Sequence, residues 1–230
     1  KDSGVRLEGP AARSYANVFL TFWRAHFPDE TSDYDKLLPQ VAPVAPTGGT
    51  LVQPFADSPV DREVVAKNVY LEFINQALHS LRICTPYLIL DNDLLTCLSL
   101  AAKRGVDVEL ILPHVPDKKF AFALAKGHYR ELLDAGVKIY EYTPGFVHAK
   151  VFVSDDCKAV VGTINLDYRS LYLHFEDAVY LCDTAANAQI EEDFVQTFPQ
   201  CRAITYEQCR HVHLYQRILR ALLRMFAPLM

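Results

Sequence analysis

The chain has 230 residues, half of them hydrophobic, and a formal net charge of −5 at pH 7. This length and composition suffice for an α/β core and exclude an intrinsically disordered protein. The acidic balance disfavours a protein that binds nucleic acid over a broad surface, because such proteins usually carry a basic face. The six cysteines occur singly, without metal-ligand spacing, so we predict reduced structural thiols in a cytosolic setting and no metal site.

The first 50 residues predict one helix and a linker. The chain begins with Lys1 and runs at once into a strand-like segment at 5–7, as a piece of a longer polypeptide would. Apolar residues at helical spacing predict a helix over 10–26. Residues 28–50 are rich in proline and glycine, which indicates a linker. The sequence contains no run of about 18 apolar residues and no signal peptide at its start.

From residue 51 the pattern predicts helices and strands in alternation. The predicted helices cover 61–80, 92–104 and 117–134, and the predicted strands between and after them cover 81–85, 106–112 and 137–142. This alternation is typical of right-handed βαβ units. Three strand-like runs follow without helices between them, at 147–154, 158–165 and 175–182. The fold class is therefore predicted to be α/β with a mixed sheet and a hairpin that turns near Asp156.

Four polar residues on this hairpin are predicted to converge: His148, Lys150, Thr163 and Asn165. Residues two apart on a strand share a face, and a turn near Asp156 pairs His148 with Ile164, between the other two polar positions. An imidazole beside an ammonium, a hydroxyl and a carboxamide suits phosphoryl transfer without a metal. The donors hold phosphate oxygens while the imidazole attacks phosphorus or moves a proton.

This pattern, His148-x-Lys150 followed by Asp155 and by Gly162-Thr163-x-Asn165, resembles the signature of the phospholipase D superfamily. Further segments are similar to its bacterial cardiolipin synthase branch: 5–8, 85–87, 101–108, 116–119, 145–150 and 162–170. Members of this family carry two such motifs, one in each of two repeats that meet at a pseudo-two-fold axis. The resemblance implies a phospholipase D-type mixed β-sheet with helices on both faces, and no cofactor.

The resemblance also implies roles for individual residues. The histidine of the first repeat would form a phosphohistidine, and His148 would protonate the leaving alcohol and then act as base. Glu176 stands where family members carry a carboxylate that orients a histidine, so we predict a bond from Glu176 to His148. A faint internal repeat aligns Asp2 with Glu176, which predicts that Asp2 orients the histidine of the preceding repeat.

Other site residues are predicted less directly. Asp155 belongs to the signature, but seven residues of strand place it about 23 Å from His148, so we predict a structural role at the hairpin turn. Tyr87, Gly162 and Arg169 are predicted to contact substrate, with core packing the alternative for Tyr87. Residues 206–230 predict an amphipathic helix that lies in an anionic membrane interface or packs on the protein itself.

The predicted domains are the closing strand and helix of a missing first repeat (1–27), a linker (28–50), one catalytic repeat (51–205) and the terminal helix (206–230). The resemblance implies a phosphatidyltransferase that converts two phosphatidylglycerol molecules into cardiolipin and glycerol. It would act at the cytoplasmic side of the cell membrane, anchored by a region absent from this chain, without nucleic acid. Two alternatives stay open: a one-motif nuclease-like phosphodiesterase that dimerises, and an inactive lipid-binding fragment.

Overall fold

The structure, a computed structural model, describes residues 1–30, 33–38, 50–60 and 62–210. Within these residues one sheet contains β1 (Leu51–Asp57), β2 (Ser80–Cys84), β3 (Asp107–Pro113), β4 (Lys138–Tyr142), β5 (Val151–Ser154), β6 (Lys158–Gly162), β7 (Glu176–Cys182) and β8 (Cys201–Ile204). The α-helices are α1 (Pro10–His26), α2 (Val65–Gln76), α3 (Asn92–Lys103), α4 (Lys119–Ala135), α5 (Tyr168–Tyr172), α6 (Ala185–Thr197) and α7 (Tyr206–Arg210). Two short 3₁₀ helices cover Tyr34–Leu37 and Phe198–Gln200.

The sheet is mixed, as the sequence predicts. Its strand order is β1-β7-β6-β5-β2-β3-β4-β8. Strands β2, β3 and β4 run parallel, whereas every other neighbouring pair is antiparallel. The β5–β6 hairpin turns at Asp155 and Asp156, whose φ angles of 52° and 58° are left-handed. Aspartate tolerates this conformation better than most residues, which explains why the turn is tight.

Helices cover both faces of the sheet, which confirms the predicted fold class. The larger core joins α2, α3 and α4 to side chains such as Leu110, Phe152 and Val160. The second core lies on the opposite face, where α6 packs on alternate residues of the same strands through Phe194 and Ile190. The alternation of inward positions along each strand is what divides the apolar residues between the two cores.

Several predicted boundaries are wrong. Residues 5–7 are not a strand in the structure, because no described strand pairs with them. Val5 and Leu7 pack on the second core instead. Strands β1 and β8 were not predicted. Both lie at edges of the sheet, where a strand needs less apolar alternation, and β1 contains Pro54, which disfavours a strand prediction. The helix predicted over 61–80 is shorter because Asp57 accepts a hydrogen bond from the Ala66 N–H at its first turn (2.8 Å).

Most of the predicted terminal helix over 206–230 lies outside the described residues, of which α7 is the last element. Much of the predicted linker, 39–49, also lies outside them. In the part of the chain that is described, no helix is long and apolar enough to cross a membrane. No group of three or more His, Cys, Asp or Glu side chains there is arranged to hold a metal ion.

One edge of the sheet collects the polar residues singled out above. The carboxyl ends of β2, β3 and β4 lie at this edge, together with the amino ends of β5 and β7 and the carboxyl end of β6. His148 and Lys150 immediately precede β5, and Thr163 and Asn165 immediately follow β6. In α/β sheets, ligands bind outside the carboxyl ends of the parallel strands, so this edge is the place to look for a site.

Candidate active site

His148 is held beside an acid from the first residues of the chain. Its Nδ1 lies 3.4 Å from Oδ2 of Asp2, and its side chain is 52% exposed. The backbone N–H of His148 donates to the carbonyl of Lys1 (2.8 Å), and the backbone nitrogen of Lys1 donates to the Phe146 carbonyl (2.8 Å). These bonds tie the amino-terminal residues to the segment before β5, and they bring Asp2 to the imidazole.

Lys150 completes the predicted His-x-Lys pair. Its Nζ lies 2.9 Å from each ring nitrogen of His148 and donates to the His148 carbonyl (2.5 Å). Burial lowers the pKa of Lys150, and the negative charges of Asp2 and Glu176 oppose that shift. The structure therefore brings a cation and an imidazole together at the edge of the sheet, where both can reach one phosphate group.

The acid that contacts His148 is not the one predicted. Glu176 accepts a hydrogen bond from Thr163 Oγ1, and its Oε1 lies 3.6 Å from His174 Nδ1. Strand β6 lies between β5 and β7, which separates Glu176 from His148 by two strand spacings, about 10 Å. The predicted bond from Glu176 to His148 is therefore wrong. Asp2 lies beside His148 instead, and its predicted contact with the histidine of the preceding repeat stays a prediction.

Glu176 is nevertheless a distinctive carboxyl group. Its side chain is only 8% exposed. Burial raises its pKa, and the hydrogen bonds from Thr163 and Ser170 act in the opposite direction. Ionising this carboxyl group in a buried position lowers the free energy of unfolding. Carboxyl groups with raised pKa values are concentrated at functional sites.

Thr163 and Asn165 lie near His148 and Lys150, but they do not pair with them across the hairpin. Regular pairing of the hairpin ends at Val151 and Val161, and one further bond joins the Gly162 N–H to the Lys150 carbonyl (3.3 Å). The predicted pairing of His148 with Ile164 is wrong, because the chain after Gly162 leaves the hairpin. It bonds instead to the loop after β2, where the Ile89 N–H donates to the Leu166 carbonyl (2.7 Å).

Asn165 is fixed by its own neighbourhood. Its Nδ2 donates to Ser170 Oγ (2.9 Å), while its buried Oδ1 has no hydrogen-bond partner among the described residues. Ser170 belongs to α5, which Asp167 caps by accepting a hydrogen bond from the Ser170 N–H (2.7 Å). The amide is thus held in place, and its second Nδ2 hydrogen is a donor that can bind a ligand.

Gly162 is required by packing. A Cβ added at this position would lie 2.3 Å from the Asp177 carbonyl oxygen and 2.4 Å from the Ala178 Cβ. Only glycine allows β6 and β7 to approach this closely at the edge that carries Thr163 and Glu176. The predicted role of Gly162 in substrate binding stays a prediction.

Tyr87 and Arg169 make contacts that the sequence did not indicate. The Tyr87 hydroxyl donates to Asp117 (2.5 Å), and the Lys118 ammonium lies 5.2 Å from the centre of its ring. Arg169 Nε donates to His174 Nε2 (2.6 Å). His174 thereby joins Arg169 to Glu176. His174 stands two residues before Glu176, and this spacing could have predicted their contact. The sequence analysis did not predict it.

Asp155 lies at the hairpin turn, far from the His-x-Lys pair, as predicted. Its carboxylate accepts hydrogen bonds from the backbone N–H groups of Leu78, His79 and Ser80, at 2.9, 2.7 and 2.9 Å. Burial would raise the pKa of Asp155, but these three bonds outweigh it and lower the pKa. This member of the signature fixes the loop between α2 and β2 to the hairpin.

An apolar groove of about 650 Å³ opens beside the polar cluster. Leu7, Tyr15 and Phe19 line one wall, and Val161, Thr163 and Val179 line the other. The groove therefore runs from the polar edge of the sheet along α1.

The mixed sheet with helices on both faces is the fold of a PLD-like domain. Residues 70–198 match the family model described as "Cardiolipin synthase, PLD-like domain", and the chain belongs to this family. A cardiolipin synthase of Halalkalibacterium halodurans is 36% identical over 231 residues, 100% of this chain and 45% of that protein. An uncharacterized protein of Streptococcus mutans serotype c is 46% identical over 230 residues, 100% of this chain and 49% of that protein. The chain thus spans about half the length of the curated relatives it matches.

Solved structures share the fold. Phosphatidylserine synthase of Haemophilus influenzae Rd KW20 superposes with a TM-score of 0.60 at 21% identity, covering 84% of this chain and 47% of that one. Nuc, a phospholipase D family member from Salmonella typhimurium, superposes with a TM-score of 0.57 at 22% identity, covering 67% of this chain and 98% of that one. At these identities the likeness concerns the fold alone.

Proposed function

We propose that this chain is the second catalytic repeat of a cardiolipin synthase that transfers a phosphatidyl group between two phosphatidylglycerol molecules. The observation that carries the proposal is the placement of His148 between the Asp2 carboxylate and the Lys150 ammonium. The names of the relatives and the family match support the choice of substrate. The apolar groove beside the cluster suits a substrate with acyl chains.

The first half-reaction cleaves the donor lipid. The nucleophilic histidine, supplied by a complementary repeat, attacks phosphorus and forms a P–N bond, while the P–O bond to the glycerol headgroup breaks. His148 in its protonated form gives its proton to the departing glycerol oxygen. Lys150 holds the non-bridging phosphate oxygens, and the Asn165 amide is available for the same task.

The second half-reaction forms cardiolipin. His148, now neutral, takes the proton from a headgroup hydroxyl of a second phosphatidylglycerol as that oxygen attacks phosphorus. The P–N bond breaks, the nucleophilic histidine is released, and His148 is again protonated for the next cycle. Asp2 accepts from Nδ1 throughout, which keeps Nε2 directed at the reacting oxygen and stabilises the imidazolium.

The setting of this reaction is part of the proposal. The substrate is a membrane lipid, so we place the enzyme at the cytoplasmic side of the cell membrane. The complementary repeat comes from the same longer polypeptide, since this chain spans about half the length of its relatives. Phosphatidylglycerol and anionic lipid surfaces are its partners, and nucleic acid is not.

The test compares four proteins: the longer polypeptide, the 230-residue chain alone, and the longer polypeptide with His148→Ala or, as control, His79→Ala. His79 is an exposed histidine at the other end of β2. Each is incubated with phosphatidylglycerol vesicles and, separately, with DNA. The proposal predicts glycerol release and cardiolipin from the longer polypeptide and from His79→Ala only. Cleavage of DNA without glycerol release would indicate a nuclease, and lipid binding without turnover would indicate an inactive domain.

A further inference from the structure

A second group of ionisable side chains lies at the same edge of the sheet, beyond the candidate active site. Glu141 is in β4 and is 2% exposed, yet it is surrounded by donors. Its Oε2 lies 3.0 Å from His114 Nδ1, and its Oε1 accepts from the Tyr129 hydroxyl (3.1 Å) and from the Lys126 ammonium. The proposed phosphatidyl transfer uses none of these residues.

The hydrogen bonds define the state of the His114 ring. Burial would raise the pKa of Glu141, but the bonds from Lys126 and His114 outweigh it and lower the pKa, so the group is a carboxylate. A carboxylate only accepts hydrogen bonds, so Nδ1 of His114 carries the proton that it donates. In the neutral ring Nε2 is then an acceptor. The His114 side chain is 39% exposed, which leaves that acceptor accessible to a ligand.

His114 and His148 lie beyond the ends of two strands at the same edge of the sheet. Ile111 of β3 pairs with Cys84 of β2, and Cys84 pairs with Val151 of β5. His114 follows Ile111 by three residues, and His148 precedes Val151 by three residues, with the chain after β2 between them. At these last paired residues, two strand spacings separate β3 from β5, about 10 Å.

His114 faces the side of the sheet that carries α4. Glu141, which His114 contacts, also accepts a hydrogen bond from the hydroxyl of Tyr129, a residue of α4 that belongs to the larger core. Because His114 and His148 follow strand ends at one edge of the sheet, a ligand that extends along this edge from His148 towards β3 reaches the His114 ring.

We propose that His114, held by Glu141, binds a headgroup hydroxyl of the acceptor lipid and so selects a polyol as acceptor. This inference rests on the proposed phosphatidyl transfer and names the group that positions its second substrate. With Nδ1 bonded to Glu141, the neutral tautomer of the ring presents Nε2 as an acceptor, which suits a hydroxyl donor better than a second phosphate. The carboxylate of Glu141 and the ammonium of Lys126 form an ion pair beside it, so the cluster offers no excess positive charge for an anion.

The test uses the longer polypeptide and measures how the phosphatidyl group is divided between transfer to an alcohol and hydrolysis by water. His114→Ala and His114→Gln are compared with His79→Ala, using phosphatidylglycerol as donor and soluble glycerol-type alcohols of increasing concentration as acceptors. The expected result is an acceptor KM raised about tenfold by His114→Ala, with more phosphatidic acid formed by water and an unchanged rate of donor cleavage. His114→Gln should recover part of the affinity, because its amide oxygen approximates the Nε2 acceptor.

Three outcomes overturn the inference. An acceptor KM and partition equal to wild type in both His114 variants would show that the ring does not contact the acceptor. An equal fall in donor cleavage and in transfer, together with a lowered Tm in both variants, would indicate a purely structural histidine. Failure of the wild-type polypeptide to transfer phosphatidyl groups to any alcohol would instead refute the proposed function, and this inference with it.

Discussion

Asp2 and His148 are 146 positions apart in sequence, and the carboxylate of the first lies 3.4 Å from Nδ1 of the second. A carboxylate at Nδ1 fixes the tautomer that presents Nε2 to the substrate and stabilises the protonated ring. The amino-terminal residues of this chain therefore contribute to the same candidate active site as the His-x-Lys pair. Asp2, rather than Glu176, is the acid expected to orient His148.

Asp2→Asn is expected to lower turnover of the longer polypeptide by about 10²-fold or more, because an amide can hold the wrong tautomer of the ring. The matched control is Glu8→Gln, which neutralises an exposed acid on the same segment, 74% exposed in its pair with Arg6. Steady-state glycerol release measures both. Equal rates for Asp2→Asn and Glu8→Gln would show that Asp2 does not orient the catalytic ring.

Glu176→Gln is expected to stabilise the fold at pH 7. Burial raises the pKa of Glu176, so its contribution to stability is present below its unfolded pKa and is lost as pH rises through the folded pKa. Removing the charge should raise Tm at pH 7, by about 2 °C or more for each 1 kcal/mol regained. Thermal unfolding at pH 7 and pH 4 measures the difference.

The stabilisation should disappear as pH falls below 4.5, the ordinary pKa of a glutamate side chain, because the wild-type carboxyl group is then also neutral. Glu192→Gln, at an exposed position of α6, provides the control and should shift Tm little. A Tm at pH 7 that falls in Glu176→Gln would mean that the ionised form of Glu176 stabilises the fold.

Asp155→Asn is expected to destabilise the fold by about 1–3 kcal/mol without changing turnover at temperatures where the protein is folded. Asparagine tolerates the left-handed backbone of the turn, so the loss reports the three charge-assisted bonds to residues 78–80. Asp156→Asn, at the next left-handed position, is the control. Denaturant unfolding gives the free energy of each variant.

The pH dependence of Asp155→Asn has a definite sign. The pKa of Asp155 is lowered from 3.8, so its stabilisation is complete above that value and is lost as pH falls through the lower folded pKa. The difference between wild type and variant should therefore narrow as pH falls below 3.8. A variant with normal stability and reduced turnover would place Asp155 in the reaction instead.

Gly162→Ala is expected to lower the free energy of unfolding by about 1–3 kcal/mol, because its Cβ would overlap the backbone of β7. The overlapped atoms, at 2.3 and 2.5 Å, belong to Asp177 and Ala178 and cannot rotate away. Gly4→Ala is the control, since a Cβ there meets nothing within 4 Å. Equal stability of the two variants in denaturant would mean that β6 and β7 can separate at no cost.

The sequence predicts local structure well here, because most elements carry their own periodicity. The helix at Pro10–His26 and the hairpin at Asp155 follow from apolar spacing and turn residues. The edge strands β1 and β8 do not, since an edge strand is stabilised by one neighbour and needs little pattern of its own. Strand β1 contains a proline and strand β8 has only four residues, so neither has a sequence pattern that predicts a strand.

The residues of the candidate site could be predicted from the sequence, but the contacts between them could not. His148 and Lys150 are two positions apart, so their meeting is a local property of the chain. Which acid reaches His148 depends on strand order, and β6 between β5 and β7 takes Glu176 away from it. Long-range placement of this kind follows from the packing of the whole sheet, which periodicity does not specify.

In the proposed reaction His148 acts as the proton donor and acceptor, while a histidine of the complementary repeat carries the phosphatidyl group. The direct measurement is trapping of the covalent intermediate on the longer polypeptide with a phosphatidyl donor whose leaving group is p-nitrophenol, which needs no protonation. His148→Ala should still form the adduct and accumulate it, since the base for the second step is lost. An adduct mapped to His148 in the wild type and absent from His148→Ala would show that His148 is the nucleophile instead.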